Sequence, residues 1–286
     1  MTDSGVTEHG RRNGWALVLG PGGPVGTAWL TGLAAGLRRA GLDPAAADLI
    51  VGTSAGAIAG ALITTGRDLD ALAELPPRDT PRPAPDGSAM AEALALGGSA
   101  DLEPDEIRRR IGRLALAATA LPADQHRAGM RFLIGTDEWP AARLLVTGVD
   151  VESGTPVVWD AGSGVPLTAA VAASSAAPGY AEPVLIGGRP FMDGAFGGGS
   201  NAHLAAGAGR IVLVEPMPRP SGGDAGADVQ IVPDEAALEA FGANVGDLTR
   251  WAAVYGEGLR QAADAAERIG RVVGGPVGGA VGESDV

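Results

Sequence analysis

The chain has 286 residues, enough to bury one sizeable core, and 45% apolar against 19% charged residues marks it as globular rather than disordered. Cysteine and lysine are both absent, which excludes a disulfide framework, a thiolate zinc site, a cysteine nucleophile, Schiff-base chemistry and a P-loop lysine. A net charge of −13 argues against nucleic acid and against charge-driven docking on anionic lipid.

Residues 1–13 are polar and read as a loose N-terminal tail. Residues 14–37 carry no charge and follow Arg11-Arg12, the outline of a leader or a membrane-spanning segment. Gly20-Pro21-Gly22-Gly23-Pro24 interrupts that outline, because such a run breaks a helix. The expectation is a cytoplasmic protein without a transmembrane segment, with peripheral membrane association left open.

Trp15–Leu19 reads as a short buried strand, and Thr27–Ala40 as a helix ending near Gly41. Asp48–Val51 is a second strand, followed by Gly52-Thr53-Ser54-Ala55-Gly56 and an apolar helix up to Gly66. This β-α-β-α start predicts an α/β fold with a parallel sheet. Residues 67–140 change character and read as a helical cap or insertion. Pro76–Pro85 is a proline-rich loop, and Glu103–Ala120 a helix whose arginines 108, 109, 110 and 113 form a solvated face. Leu94, Leu96, Leu114, Leu116, Leu121 and Phe132 in this region would line an acyl groove or, on the plainer reading, belong to the core.

Strands return at Arg143–Val149 and Thr155–Trp159, and Leu167–Ser175 is helical. Val184–Ile186 and Pro190–Met192 flank Gly187-Gly188 as a hairpin. His203–Ala208 is a helical turn, Arg210–Val214 a strand and 218–229 a loop. Asp234–Arg271 is mostly helical with Asp234 as N-cap, and 273–286 is a second loose tail. Residues 14–272 thus read as a single domain.

Gly52–Gly56 fits G-x-S-x-G between a strand and a helix, with Ser54 at the sharp turn. Gly52 and Gly56 let strand and helix approach, and the helix start faces an oxyanion formed by attack. Ser54 needs a base, and two partners stand open. His203 opens an apolar helical turn and no histidine follows it. Asp193 ends a strand, is followed by Gly194-Ala195, and can accept the serine proton if burial raises its basicity. The loop Gly20–Gly26 joins the first strand to the first helix. Gly22 and Gly23 can donate N–H groups there, whereas Pro21 and Pro24 cannot. A nucleotide-binding G-x-G-x-x-G fails at Val25. His9, His126 and His203 are too scattered for a metal site.

Four blocks in order resemble the patatin-like phospholipases: the glycine loop Gly20–Gly26, the elbow Gly52–Gly56, Ala173-Ser174-Ser175-Ala176-Ala177-Pro178, and Asp193-Gly194-Ala195. Asn201–Val214 also looks like the polar turn, short helix and strand that follow in that family. The resemblance covers roughly residues 14–216, least clearly 67–140. It implies a three-layer α/β/α sandwich with a mainly parallel central sheet and a serine acyl hydrolase acting on lipid esters without metal or cofactor. Ser54 would be the nucleophile, Asp193 the base, and Gly22 and Gly23 the oxyanion donors. Two departures stand out. Pro21 replaces a glycine, and Val25 stands where the family usually has Arg or Lys. Acyl transfer by the same dyad, or a weakly catalytic lipid-binding scaffold, are the alternatives. The expected partner is a lipid or ester substrate.

Overall fold

The computed structural model describes residues 14–75, 85–217 and 226–274. The expected tail at 1–13, most of the 273–286 tail, and the loop positions 76–84 and 218–225 lie outside them. In chain order the elements are β1 (Trp15–Leu19), α1 (Gly23–Arg39), β2 (Leu49–Gly52), α2 (Ala55–Thr64), α3 (Gly87–Gly97), α4 (Pro104–Ala117), α5 (Ala123–Ile134), β3 (Leu144–Asp150) and β4 (Pro156–Trp159). There follow α6 (Leu167–Ser174), β5 (Val184–Ile186), β6 (Arg189–Asp193), α7 (Ala195–Gly198), β7 (Arg210–Val214), β8 (Val229–Ile231), α8 (Glu235–Phe241) and α9 (Trp251–Val273).

The sheet order is β5-β6-β3-β2-β1-β7-β8, with β4 also paired to β3. Strands β3, β2, β1, β7 and β8 run parallel, and the pairings of β4, β5 and β6 are antiparallel. The central strands are buried on both faces, which is why they read as unbroken apolar runs. Leu17, Leu19, Ile50, Val212 and Val214 enter one core; Ala16, Val18, Leu49, Val51, Ile211 and Leu213 enter another on the opposite face.

The first face is covered by α1, α2, α5, α6, α8 and α9, so that layer holds most of the apolar side chains. The second is thinner: a 3-10 turn at Ala202–Ala205 covers its centre. Helices α3 and α4 cover Val149 and Met192 on β3 and β6 through Ala93, Ile111 and Ala115. The 67–140 region therefore contributes to both outer layers. Leu121 is core, Leu96 and Leu114 pack against the α3–α4 cluster, and Leu94, Leu116 and Phe132 are exposed. Arg109, Arg110 and Arg113 pair with Glu106 on the exposed side of α4.

Register along β3 positions the site. Val146 pairs with both Gly52 of β2 and Trp159 of β4, and Gly148 pairs with both Val157 of β4 and Asp193 of β6. A strand has two edges, and β4 occupies one of them. Strands β2 and β6 therefore share the other edge end to end, with Gly52 and Asp193 meeting at the carboxyl end of β2.

Several boundaries differ from the sequence reading. Helix α1 begins at Gly23, four residues early, because Pro24 sits in its first turn where a missing N–H costs nothing. Helices α3 and α5 fall within the 67–140 region read as helical, which gave them no individual limits, and strand β8 was not expected. The long C-terminal helix is two: α8 stops at Gly242, whose φ of 66° leaves the helical region, and α9 starts at Trp251 and continues to Val273.

Helix α9 buries Trp251, Val254, Tyr255, Gly258, Ala262, Ala265 and Ile269, a stripe at three- and four-residue spacing, against α1. The two backbones touch through glycine: a Cβ on Gly258 would lie 2.2 Å from the Trp29 carbonyl oxygen. Gly258→Ala should destabilise the protein by about 2 kcal/mol by overpacking, outweighing the roughly 1 kcal/mol gained in helix propensity. Urea unfolding checks this, and an unchanged midpoint would refute it.

Candidate active site

Ser54 lies at the turn between β2 and α2 with φ 55° and ψ −116°. A positive φ in a residue with a side chain costs about 1–3 kcal/mol and persists where the surroundings over-determine it. The glycines at either side supply that constraint. A Cβ on Gly52 would lie 2.7 Å from Ala57 Cα, and one on Gly56 would lie 1.9 Å from the Leu19 carbonyl oxygen. The G-x-S-x-G spacing is thus a packing demand of β1 and β2 against the start of α2.

Asp193 ends β6 directly above this turn. Ser54 Oγ donates to Asp193 Oδ2 at 2.6 Å, and the Ala195 N–H donates to Asp193 Oδ1 at 2.9 Å. Both side chains are nearly closed to solvent, with Ser54 at 6% and Asp193 at 3% exposure. Burial pushes the Asp193 carboxyl up to about 6, against the lowering pull of the Ser54 hydroxyl and the Ala195 N–H. His203 is exposed, and the Ser54 hydroxyl bonds to Asp193 rather than to it. His126 is buried on α5 and contacts Ser175 Oγ at 3.0 Å.

A buried polar knot supports both turns. Asn201, left-handed at φ 56° and ψ 32°, holds its Nδ2 3.0 Å from Thr53 Oγ1, 3.3 Å from Thr147 Oγ1 and 3.2 Å from the carbonyls of Gly194 and Gly199. Its two N–H bonds are shared among these acceptors. Thr53 precedes Ser54 and Gly194 follows Asp193, so Asn201 ties the two turns together. A Cβ on Gly194 would lie 2.3 Å from Thr147 Oγ1, which is why glycine follows the aspartate.

The glycine loop lies beside the elbow: the Cβ position of Gly26 is 3.7 Å from Ala55 Cβ. The Gly20 N–H donates to the Val214 carbonyl and the Gly26 N–H to the Gly22 carbonyl. Among the described residues, the Gly22 and Gly23 N–H groups have no acceptor. Gly23 has φ 61°, and its Cβ would lie 2.9 Å from the Val245 carbonyl oxygen. Val25 is buried, and its N–H donates to that same carbonyl at 3.1 Å. Valine at this position is a core residue.

The family model for patatin-like phospholipases matches residues 17–206, which include the glycine loop, Ser54, Asp193 and Asn201. The chain belongs to the patatin-like phospholipase family. The central sheet with helices on both faces is the fold of this patatin-like chain. Two solved structures are similar to it. VipD from Legionella pneumophila is 15% identical with a TM-score of 0.40, over 82% of this chain and 55% of VipD. The type III effector protein ExoU is 19% identical with a TM-score of 0.40, over 90% of this chain and 53% of ExoU. The chain spans about half the length of either. No curated protein matches it.

Strands β7 and β8 and helices α8 and α9 lie beyond the patatin-like match, yet the Val245 carbonyl reaches back from there to the glycine loop. Among the described residues, no group of three or more His, Cys, Asp or Glu side chains is placed to hold a metal ion. No described helix is long and apolar enough to cross a membrane. A separate shallow cleft of about 240 Å³, lined by Trp139, Arg143 and Asp160 among others, opens at the amino end of β3, the opposite end of the sheet from Ser54.

Proposed function

We propose that this protein is a serine acyl hydrolase that cleaves acyl esters of lipids, with Ser54 as nucleophile and Asp193 as general base. The observation that carries the reading is the 2.6 Å bond from Ser54 Oγ to a buried Asp193 carboxyl of raised basicity. An ordinary carboxylate near pKa 3.9 is a weak base at neutral pH; one moved toward 6 takes a proton far more readily.

In the first half-reaction Ser54 Oγ bonds to the ester carbonyl carbon as its proton passes to Asp193. The Gly22 and Gly23 N–H groups are assigned to the oxyanion that develops, a role supported by their lack of protein acceptors. The tetrahedral species collapses with cleavage of the bond to the leaving alcohol, which takes the proton from Asp193. Water then attacks the acyl-Ser54 ester, again giving its proton to Asp193, and collapse returns that proton to Ser54 Oγ with release of the acid. An alcohol in place of water would make the same groups an acyltransferase, and product analysis with added glycerol separates the two.

The test is hydrolysis of p-nitrophenyl esters of rising acyl length across pH. Asp193 must be ionised to act, so kcat/KM should rise with pH through an acid limb near 6 and then level. A flat profile from pH 4 to 8 sinks the assignment of Asp193, and failure to cleave any ester sinks the hydrolase reading.

A further inference from the structure

Ser174, the last residue of α6, is buried completely and takes no part in the chemistry just described. Its Oγ accepts the Ser54 N–H at 3.0 Å. Its backbone carbonyl accepts the Gly194 N–H at 3.2 Å, and two residues on the Ala176 carbonyl accepts the Asp193 N–H at 3.0 Å. One short segment therefore bonds to the backbone of both partners of the 2.6 Å hydrogen bond. The turn carrying Ser54 has bonds of its own, from the Gly56 N–H to the Thr53 carbonyl at 2.9 Å and from the Ala57 and Ile58 N–H groups to the Ser54 carbonyl at 3.0 and 3.2 Å. None of them involves the Ser54 N–H. Among the described residues, Ser174 Oγ is the acceptor that fixes that group.

From this we infer that Ser174 is a positioning residue, whose side chain sets Ser54 while its carbonyl sets the strand end bearing Asp193, so that one residue fixes the distance between them. The inference rests on the Ser54–Asp193 reading of the site. It also assigns the Ser54 N–H to the scaffold rather than to the oxyanion. Ser175 next to it does something different: its Oγ lies 3.0 Å from His126 Nε2 and donates to the Val171 carbonyl at 2.8 Å, away from the Ser54 turn.

The test compares full-length variants on p-nitrophenyl butyrate, with thermal unfolding to show that each is folded. Ser174→Ala should lower kcat at least tenfold with KM within about twofold. The acid limb should move to higher pH, because a displaced Ser54 no longer helps hold the Asp193 carboxyl down. Ser175→Ala should keep the wild-type kcat. Ser174→Thr and Ser174→Val have the same shape and differ in the hydroxyl, so threonine should exceed valine at least tenfold even if alanine fails to fold. Wild-type kcat in Ser174→Ala, or equal kcat for threonine and valine, overturns the inference. Ser54→Ala and Asp193→Asn run beside them: if both are inactive while Ser174→Ala is fully active, the positioning role alone falls. If Ser54→Ala remains active, the reading beneath it falls as well.

Discussion

Asparagine in place of Asp193 is expected to lower kcat for ester hydrolysis by about a thousandfold, within the range of about 10²–10⁴ for losing a general base. The same substitution should make the protein more stable near pH 8. The asparagine fits the hydrogen bonds already there: its carbonyl accepts the Ala195 N–H, and its NH₂ donates to Ser54 Oγ. What disappears is the cost of a buried negative charge. The Asp193 carboxyl is raised from 3.8 to about 6, so the folded state holds a proton that the unfolded state releases between those values. The contribution of Asp193 to wild-type stability is therefore fully present below about 4 and is lost as pH rises through about 6. The loss is on the order of 3 kcal/mol. Asp193→Asn escapes it, so its advantage in urea unfolding should be large at pH 8 and vanish near pH 4. Retained hydrolysis, or an advantage that grows as pH falls, would contradict this account.

The second large effect is expected at Gly56. Its Cβ would lie 1.9 Å from the Leu19 carbonyl oxygen and 2.4 Å from the carbonyl carbon, and neither can move without shifting β1. Gly56→Ala must push the start of α2 off the sheet, carrying Ser54 away from Asp193. A loss of about 3 kcal/mol in stability, at the upper end for overpacking, and of most ester hydrolysis should follow. Gly60, one turn along the same helix, is the contrast. Its nearest neighbour would be a leucine methyl, Leu144 Cδ1, at 3.1 Å, which can turn aside. Gly60→Ala should stay within about 1 kcal/mol of wild type and keep its activity, since the helix-propensity gain offsets the crowding. Equal behaviour of the two variants in urea and ester assays would show that the elbow does not depend on this close approach.

Much of this was legible before the fold was known. Strands β1 and β7 are read at their observed limits, because a strand buried on both faces is a short apolar run with nothing to confuse it. Ser54 and Asp193 each stand in a pattern set by collisions of an added Cβ with neighbouring backbone or side chain, so Gly52, Gly56 and Gly194 leave a local signature. The contact between them leaves none, since 139 residues separate the pair and β-sheet register brings them together. Helix α3 was not delimited because it buries only Ala89 and Ala93. Helix α5 did carry a signal, with His126, Met130, Leu133 and Ile134 buried at helical spacing. Ser174 and Asn201 stood inside blocks already singled out, but a serine that accepts one distant N–H looks like any small buried residue. Strand β8 is as short as β5, but β5 is marked by the Gly187-Gly188 turn that follows it and β8 has no such flanking signal.

The sharing of one β3 edge by β2 and β6 has a consequence for the chain while it is being made. The first half of that edge is available once residue 146 has been synthesised; the second waits for residue 193. A ribosome-bound or truncated chain that stops between them carries the serine without its carboxylate. On the proposed reading, such a fragment cannot attack the lipids around it. Even the pairing at residue 193 leaves the site unfinished, because Asn201 ties the two turns together and the Val214 and Val245 carbonyls hold the glycine loop, so its parts are completed only late in synthesis.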